Sequence, residues 1–238
     1  MGLFDMFLSE DKRIQKEQRA ITNRDAQPED REMAARWLSD NGSGKALVAL
    51  LSRFEMKLDH QLNDKDEREF AYSLLSQHGD EVLRPLRVHL RRCKRIAMPL
   101  RLLGDLSDAD HVMETVFDLL QREFDLDDFK PQKKVDLLTW LAEHKHPGAQ
   151  PAAVPHLKDF DEAVRYAAAE VIIGQKDDAG QAPLELVIAD SKDDSNRLRV
   201  RLAEVFVQRR WVLADPEGVA AMLSEKFGVI DGQIVAKP

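Results

Sequence analysis

The stretch RPLRVHLRRCKR, residues 84–95, carries Arg84, Arg87, Arg91, Arg92, Lys94 and Arg95 and no acid. Guanidinium groups at that density recognise carboxylates and phosphates through forked N–H donors. On a helix, Arg84, Arg87, Arg91 and Arg95 fall along one face, with Val82, Leu83, Leu86, Leu90 and Cys93 opposite. Such a row is either a solvated face paired with acids of neighbouring elements or a docking surface for an anionic partner. Among anionic partners an acidic protein segment is favoured, because no aromatic side chain interrupts the row as single-strand nucleic-acid binders require. Cys93 lies among these cations, which would lower the pKa of an exposed thiol. Its place on the apolar face predicts a buried, inert thiol instead.

Other constellations fall short of a site. DNGSGKALVALL at 40–51 resembles a phosphate loop, but Ser39 stands where the first Gly belongs and Ala46 where Ser or Thr belongs. Gly42 is expected to end one helix and Ser43 to cap the next. EHKH at 143–146 lacks the i, i+4 histidine pair of a helical zinc site. Asp105, Asp108, Asp110 and His111 lack the Gly and distal Glu of a calcium loop, so capping explains them. Base-excision chemistry would need an exposed Trp beside a carboxylate in a basic cleft. Trp37 and Trp140 sit in apolar stripes and are expected in the core, leaving Trp211 as the exposed aromatic. No catalytic residue, cofactor or metal ligand is assigned.

The elements that position these residues read as helices throughout. The 238 residues are 43% hydrophobic and 33% charged, with 11 glycines and 2 tyrosines. That is a folded, helical composition. The net charge of −8 disfavours non-specific binding to nucleic acid, which needs a positive field. A single cysteine excludes an intrachain disulfide and suits a cytoplasmic setting. No apolar run is long enough to span a bilayer. GLFDMFL at 2–8 puts Leu3, Phe4, Phe7 and Leu8 on one side; covering the first helical layer is the expectation, and membrane contact the less favoured one.

Two alternating helix series appear. One runs through 28–40, 65–77, 95–106, 131–144, 161–173 and 196–210. The other lies between, at 44–56, 80–92, 109–124, 151–159, 182–190 and 216–227. DEAVRYAAAEV at 161–171 recurs as SNRLRVRLAEV at 195–205, with Arg165 on Arg199 and Val171 on Val205. Arg31, Ala34 and Leu38 recur as Arg68, Ala71 and Leu75. Recurrence of this length with two helices per unit is the mark of a stacked helical repeat, whose units bury their apolar faces only against one another. An Arg at the edge of such a seam must be paired, and an acid stands six residues upstream each time: Asp159 before Arg165, Asp193 before Arg199. At the C-terminus, Asp231-Gly232 between two short apolar runs predicts a type I′ hairpin over the end of the last unit.

VPHLKDFDEAVRYAAAEVI resembles the HEAT-repeat family, and DDSNRLRVRLAEV follows the same pattern, with Asp in the turn and Arg early in the second helix. The segment around Pro99 departs from it, lacking an Arg in register. The resemblance implies an all-α, right-handed superhelix with a polar ladder made by Asp159, Arg165, Asp193 and Arg199. It places an N-terminal helical cap at 1–27, a single solenoid of repeats at 28–227 and the hairpin and tail at 228–238. It further implies a non-enzymatic scaffold that binds another protein. Nucleic-acid binding, including base-excision activity, is the second reading, and a lyase acting on a tetrapyrrole the third.

Overall fold

A computed structural model describes residues 9–126 and 131–237. The expected surface at residues 2–8 lies outside the described residues. The described chain is mostly helical, with one two-stranded antiparallel hairpin at its C-terminal end. It divides into two compact units, residues 1–119 and 120–238.

The first unit contains α1 (Glu10–Ile21), α2 (Pro28–Asn41), α3 (Gly44–Leu51), α4 (Gln61–Ser76), α5 (Leu83–Leu90), α6 (Ala97–Leu106) and the start of α7 (Ala109–Leu126). Local chemistry sets the breaks. Pro28 opens α2, and Gly42 closes it at φ 63°, a left-handed value that glycine adopts without a Cβ clash. Ser43 then accepts from the Ala46 amide and starts α3. The Asp108 carboxylate accepts from the His111 amide at 2.8 Å, so capping does account for one of the acids gathered there. α2, α4 and α6 pack in sequence as one layer, while α3 packs on α5 in the other. Between them lie Leu38, Leu47, Leu50, Phe54, Leu75, Leu86 and Leu102, all fully buried. Each such side chain contributes about 1.5–3 kcal/mol through loss of apolar surface from water.

The second unit contains the end of α7, then α8 (Pro131–Ala142), α9 (Ala149–Ala153), α10 (Glu162–Gln175), α11 (Gln181–Ala189), α12 (Asn196–Arg209), α13 (Pro216–Met222), β1 (Phe227–Ile230) and β2 (Gln233–Ala236). α8, α10 and α12 form one layer; α11 packs on α13 in the other. The alternation read from the sequence is therefore present within each unit. Asp161 accepts from the Ala163 and Val164 amides, and Ser195 from the Leu198 amide. β1 and β2 meet at Asp231 and Gly232, with φ 49° and 74°, the two positive values that a type I′ turn requires. β2 packs on α12, and the Leu213 amide donates to the Gly232 carbonyl at 2.7 Å. Ile234 and Phe227 are buried by this docking, which a lone hairpin in water could not achieve.

The tryptophans fall opposite to expectation. Trp211 is buried, its ring edge-on to Phe206, and its Nε1 donates to Asp178 at 2.8 Å. Trp37 and Trp140 are only half-buried; Arg13 lies over Trp37 and His144 stacks on Trp140. The cause is local. Arg210 takes a left-handed conformation at φ 54°, which reverses the chain after α12 and tucks the next ring back under that helix.

Candidate functional site

Every cation of the 84–95 run has its side chain at the surface. The helix beneath them is shorter than its sequence pattern suggests. α5 ends at Leu90, with Arg91 as its C-cap, and Lys94 and Arg95 follow in irregular chain. The four-arginine row therefore divides. Arg91 reaches Asp118 of α7 at 3.2 Å, and the Arg87 guanidinium donates to the His111 ring. These two behave as a face paired with a neighbouring element. Arg95 turns to another concavity, shared with Arg24, Lys57 and Asp59.

Arg84 and Arg92 have a different setting. They line a groove of about 810 Å³ between α1, α3 and α5. Ile14, Val48, Pro85 and Val88 supply its apolar part, and Val88 is 39% exposed. On the α1 side, Asp11 is held by Lys45 at 2.9 Å and Glu10 by Asn41 at 3.2 Å. Among the described residues neither Arg84 nor Arg92 has an ion-pair partner. The groove thus combines an apolar wall with two uncommitted guanidiniums and two acids already satisfied by the protein. No sequence signal joined α1 to Arg84 and Arg92, because Glu10 and Arg92 lie far apart in the chain.

Of the ladder residues, Arg165 meets the carboxylate of Asp193 in the next turn, not that of Asp159 six residues upstream. The Arg165 guanidinium grips the Asp193 carboxylate through Nε at 3.1 Å and Nη2 at 3.0 Å. Its Nη1 donates to the backbone carbonyls of Asp159 and Phe160. The Asp159 carboxylate instead takes Lys134 at 2.8 Å. Arg199 likewise donates to the Asp193 carbonyl, at 2.6 Å. Arg165 therefore binds the main chain of its own turn and the acid of the next turn; Arg199 shows the first of these contacts and Lys134 the second. The turn geometry contributes: the Asp159 and Asp193 carboxylates each accept from the amide two residues on, Asp161 and Ser195, while their carbonyls accept from the Arg six residues on. Arg31 repeats the arrangement, bidentate to Glu67 at 2.8 and 2.7 Å and bonded to the turn carbonyls of Asn23 and Ala26. Lys134, Arg165, Arg199 and Arg31 all stand at the fourth position of their helices.

A second buried network was not foreseen from the sequence. Arg53 is 1% exposed and pairs with Asp64 at 3.1 Å and Glu67 at 3.3 Å. Asp64 also accepts from Arg68 and from the Leu58 amide. Glu67 thus joins Arg31 to Arg53. In a similar role, buried Glu185 accepts from the Ala214 and Asp215 amides at 2.7 Å and anchors the chain ahead of α13.

Comparison with family models, curated proteins and solved structures found no match to this chain. No described helix is long and apolar enough to cross a membrane.

Proposed function

We propose that the protein is a non-enzymatic, HEAT-like interaction module that docks an acidic, amphipathic segment of another protein in the groove between α1, α3 and α5. The observation that carries this reading is the pair Arg84 and Arg92, exposed and, among the described residues, without a carboxylate partner, at the rim of an apolar groove. A ligand with acids on one side and aliphatic groups on the other would satisfy both features at once. The acids Glu10 and Asp11 on the opposite wall work against a phosphate backbone, which presents charge without apolar surface. The HEAT-like assignment is supported by the repeated fourth-position cation, which bonds its own turn and an acid further along the chain at Arg31 and Arg165, and such an acid at Lys134.

The test compares two charge reversals in the full chain. Arg84→Glu with Arg92→Glu is expected to lose a specific partner that the unaltered protein retains in affinity recovery from its native cell at low salt. Arg87→Glu with Arg91→Glu, which touches the pair already committed to α7, is expected to keep it. Identical recovery by all three proteins would remove the groove from consideration.

A further inference from the structure

We propose that Glu55, His89 and Cys93 form a binding site for a borderline-soft divalent cation, with Zn²⁺ as the ion that fits. The three side chains bring one carboxylate oxygen, one imidazole nitrogen and one thiol sulfur within 4.8 Å of one another. His89 Nε2 lies 4.0 Å from Glu55 Oε1. Donors bonded to zinc at about 2.0–2.3 Å in a tetrahedron stand roughly 3.3–3.8 Å apart. Closing the cluster onto an ion therefore needs the donor atoms to approach one another by about an ångström.

The backbone already holds the donors. His89 and Cys93 are four residues apart, and the Cys93 amide donates to the His89 carbonyl at 2.8 Å. The helical turn thus continues past the end of α5 and keeps both side chains on one side, both buried. Glu55 ends a short 3-10 turn, Ser52–Glu55, that contains the fully buried Arg53. Its carboxylate is oriented by the Lys94 amide at 2.9 Å and the Arg95 amide at 3.2 Å, one on each oxygen. Each oxygen has a second lone pair, so these bonds orient the carboxylate and still leave it able to bind a metal.

Charge and softness select the ion. A thiolate, a carboxylate and a neutral imidazole sum to −2 and neutralise a divalent cation. That balance matters beside Arg92, Lys94 and Arg95. Sulfur and nitrogen donors favour zinc over magnesium or calcium, which prefer oxygen. On binding, the Cys93 S–H bond breaks, its proton passes to solvent, and the sulfur electron pair forms the metal bond. Three protein donors leave a fourth position for water on the side where Glu55 is open to solvent.

The experiment uses the full reduced chain, stripped by a chelator and titrated with Co²⁺ as a spectroscopic stand-in. Cys93 is the chain's one cysteine, so a thiolate-to-cobalt charge-transfer band reports on this residue without any variant. One equivalent of Co²⁺ is expected to produce the band, and Zn²⁺ to abolish it by displacement. Cys93→Ala is expected to lose the band, and Glu55→Gln to weaken Zn²⁺ by more than the roughly tenfold to hundredfold that loss of an outer-shell partner costs. Absence of the band in the unaltered protein would overturn the assignment, as would a metal affinity that Glu55→Gln leaves unchanged. The charge reversals that test the groove do not touch these three residues, so the two readings fail separately.

Discussion

At the residue scale, the energetics concentrate in charges removed from water. Arg165 and Asp193 are both nearly buried, and removing one strands the other. Arg165→Met is expected to destabilise the protein by about 3–5 kcal/mol, the cost of an uncompensated buried partner, read as a fall in the urea midpoint. Replacing Asp193 with Asn at the same time should recover much of the loss, because the unpaired charge is then gone. His156 supplies a different signal. Burial first, and then Lys134, hold its imidazole below the ordinary histidine value of 6.5, with Asp159 opposing them. The unfolded chain therefore binds a proton before the folded one as pH falls. Stability from this group is intact above the unfolded pKa and declines as pH drops from there toward the lowered folded value. His156→Gln is expected to flatten the part of the stability–pH curve just below 6.5, measured by chemical denaturation. An unchanged slope in the variant would assign the pH dependence elsewhere.

At the scale of elements, the caps and the hairpin carry the consequences. Asp161 satisfies two amides at the start of α10, and Asp161→Ala is expected to cost about 1 kcal/mol, with the Arg165 ladder intact. The hairpin packs on α12 through β2, where Ile234 is buried, and Trp211, in the turn after α12, is buried against Phe206. Trp211→Ala is expected to cost about 3–5 kcal/mol, because it removes a large buried ring and leaves Asp178 without its indole donor. The α5 segment illustrates the limit of a helical wheel. Its pattern of apolar and basic residues continues to Arg95, but the helix stops at Leu90. The remaining cations are then distributed by the chain path, so Arg91 meets α7 and Arg95 lines a concavity with Arg24, Lys57 and Asp59.

At the scale of the whole molecule, the net charge of −8 and the local basic surface act at different ranges. A uniformly charged polymer senses the former, while a short acidic segment in contact senses the latter, since screening confines exposed charges to about 10 Å at 0.1 M salt. No retardation of a labelled DNA duplex is therefore expected at about 50 mM salt, where phosphate contacts are strongest. A shift under those conditions would favour the nucleic-acid reading over the protein-docking one. Helix positions, their two alternating series, the caps at Ser43, Asp161 and Ser195 and the Asp231-Gly232 turn were legible in the sequence. These depend on periodicity and on side chains within a few residues of the backbone they serve. The i, i+4 spacing of His89 and Cys93 was also present, though nothing near them in the chain announced Glu55. What only the tertiary structure decided was every pairing between distant residues: Asp193 on Arg165, Asp64 under Arg53, Trp211 inside and Trp37 half out, Arg84 and Arg92 over a groove built with α1. A charge's partner and a ring's burial depend on which surfaces pack together, and that packing minimises the exposed apolar area of many helices at once. A local pattern specifies a helix face; it does not specify what lies against it.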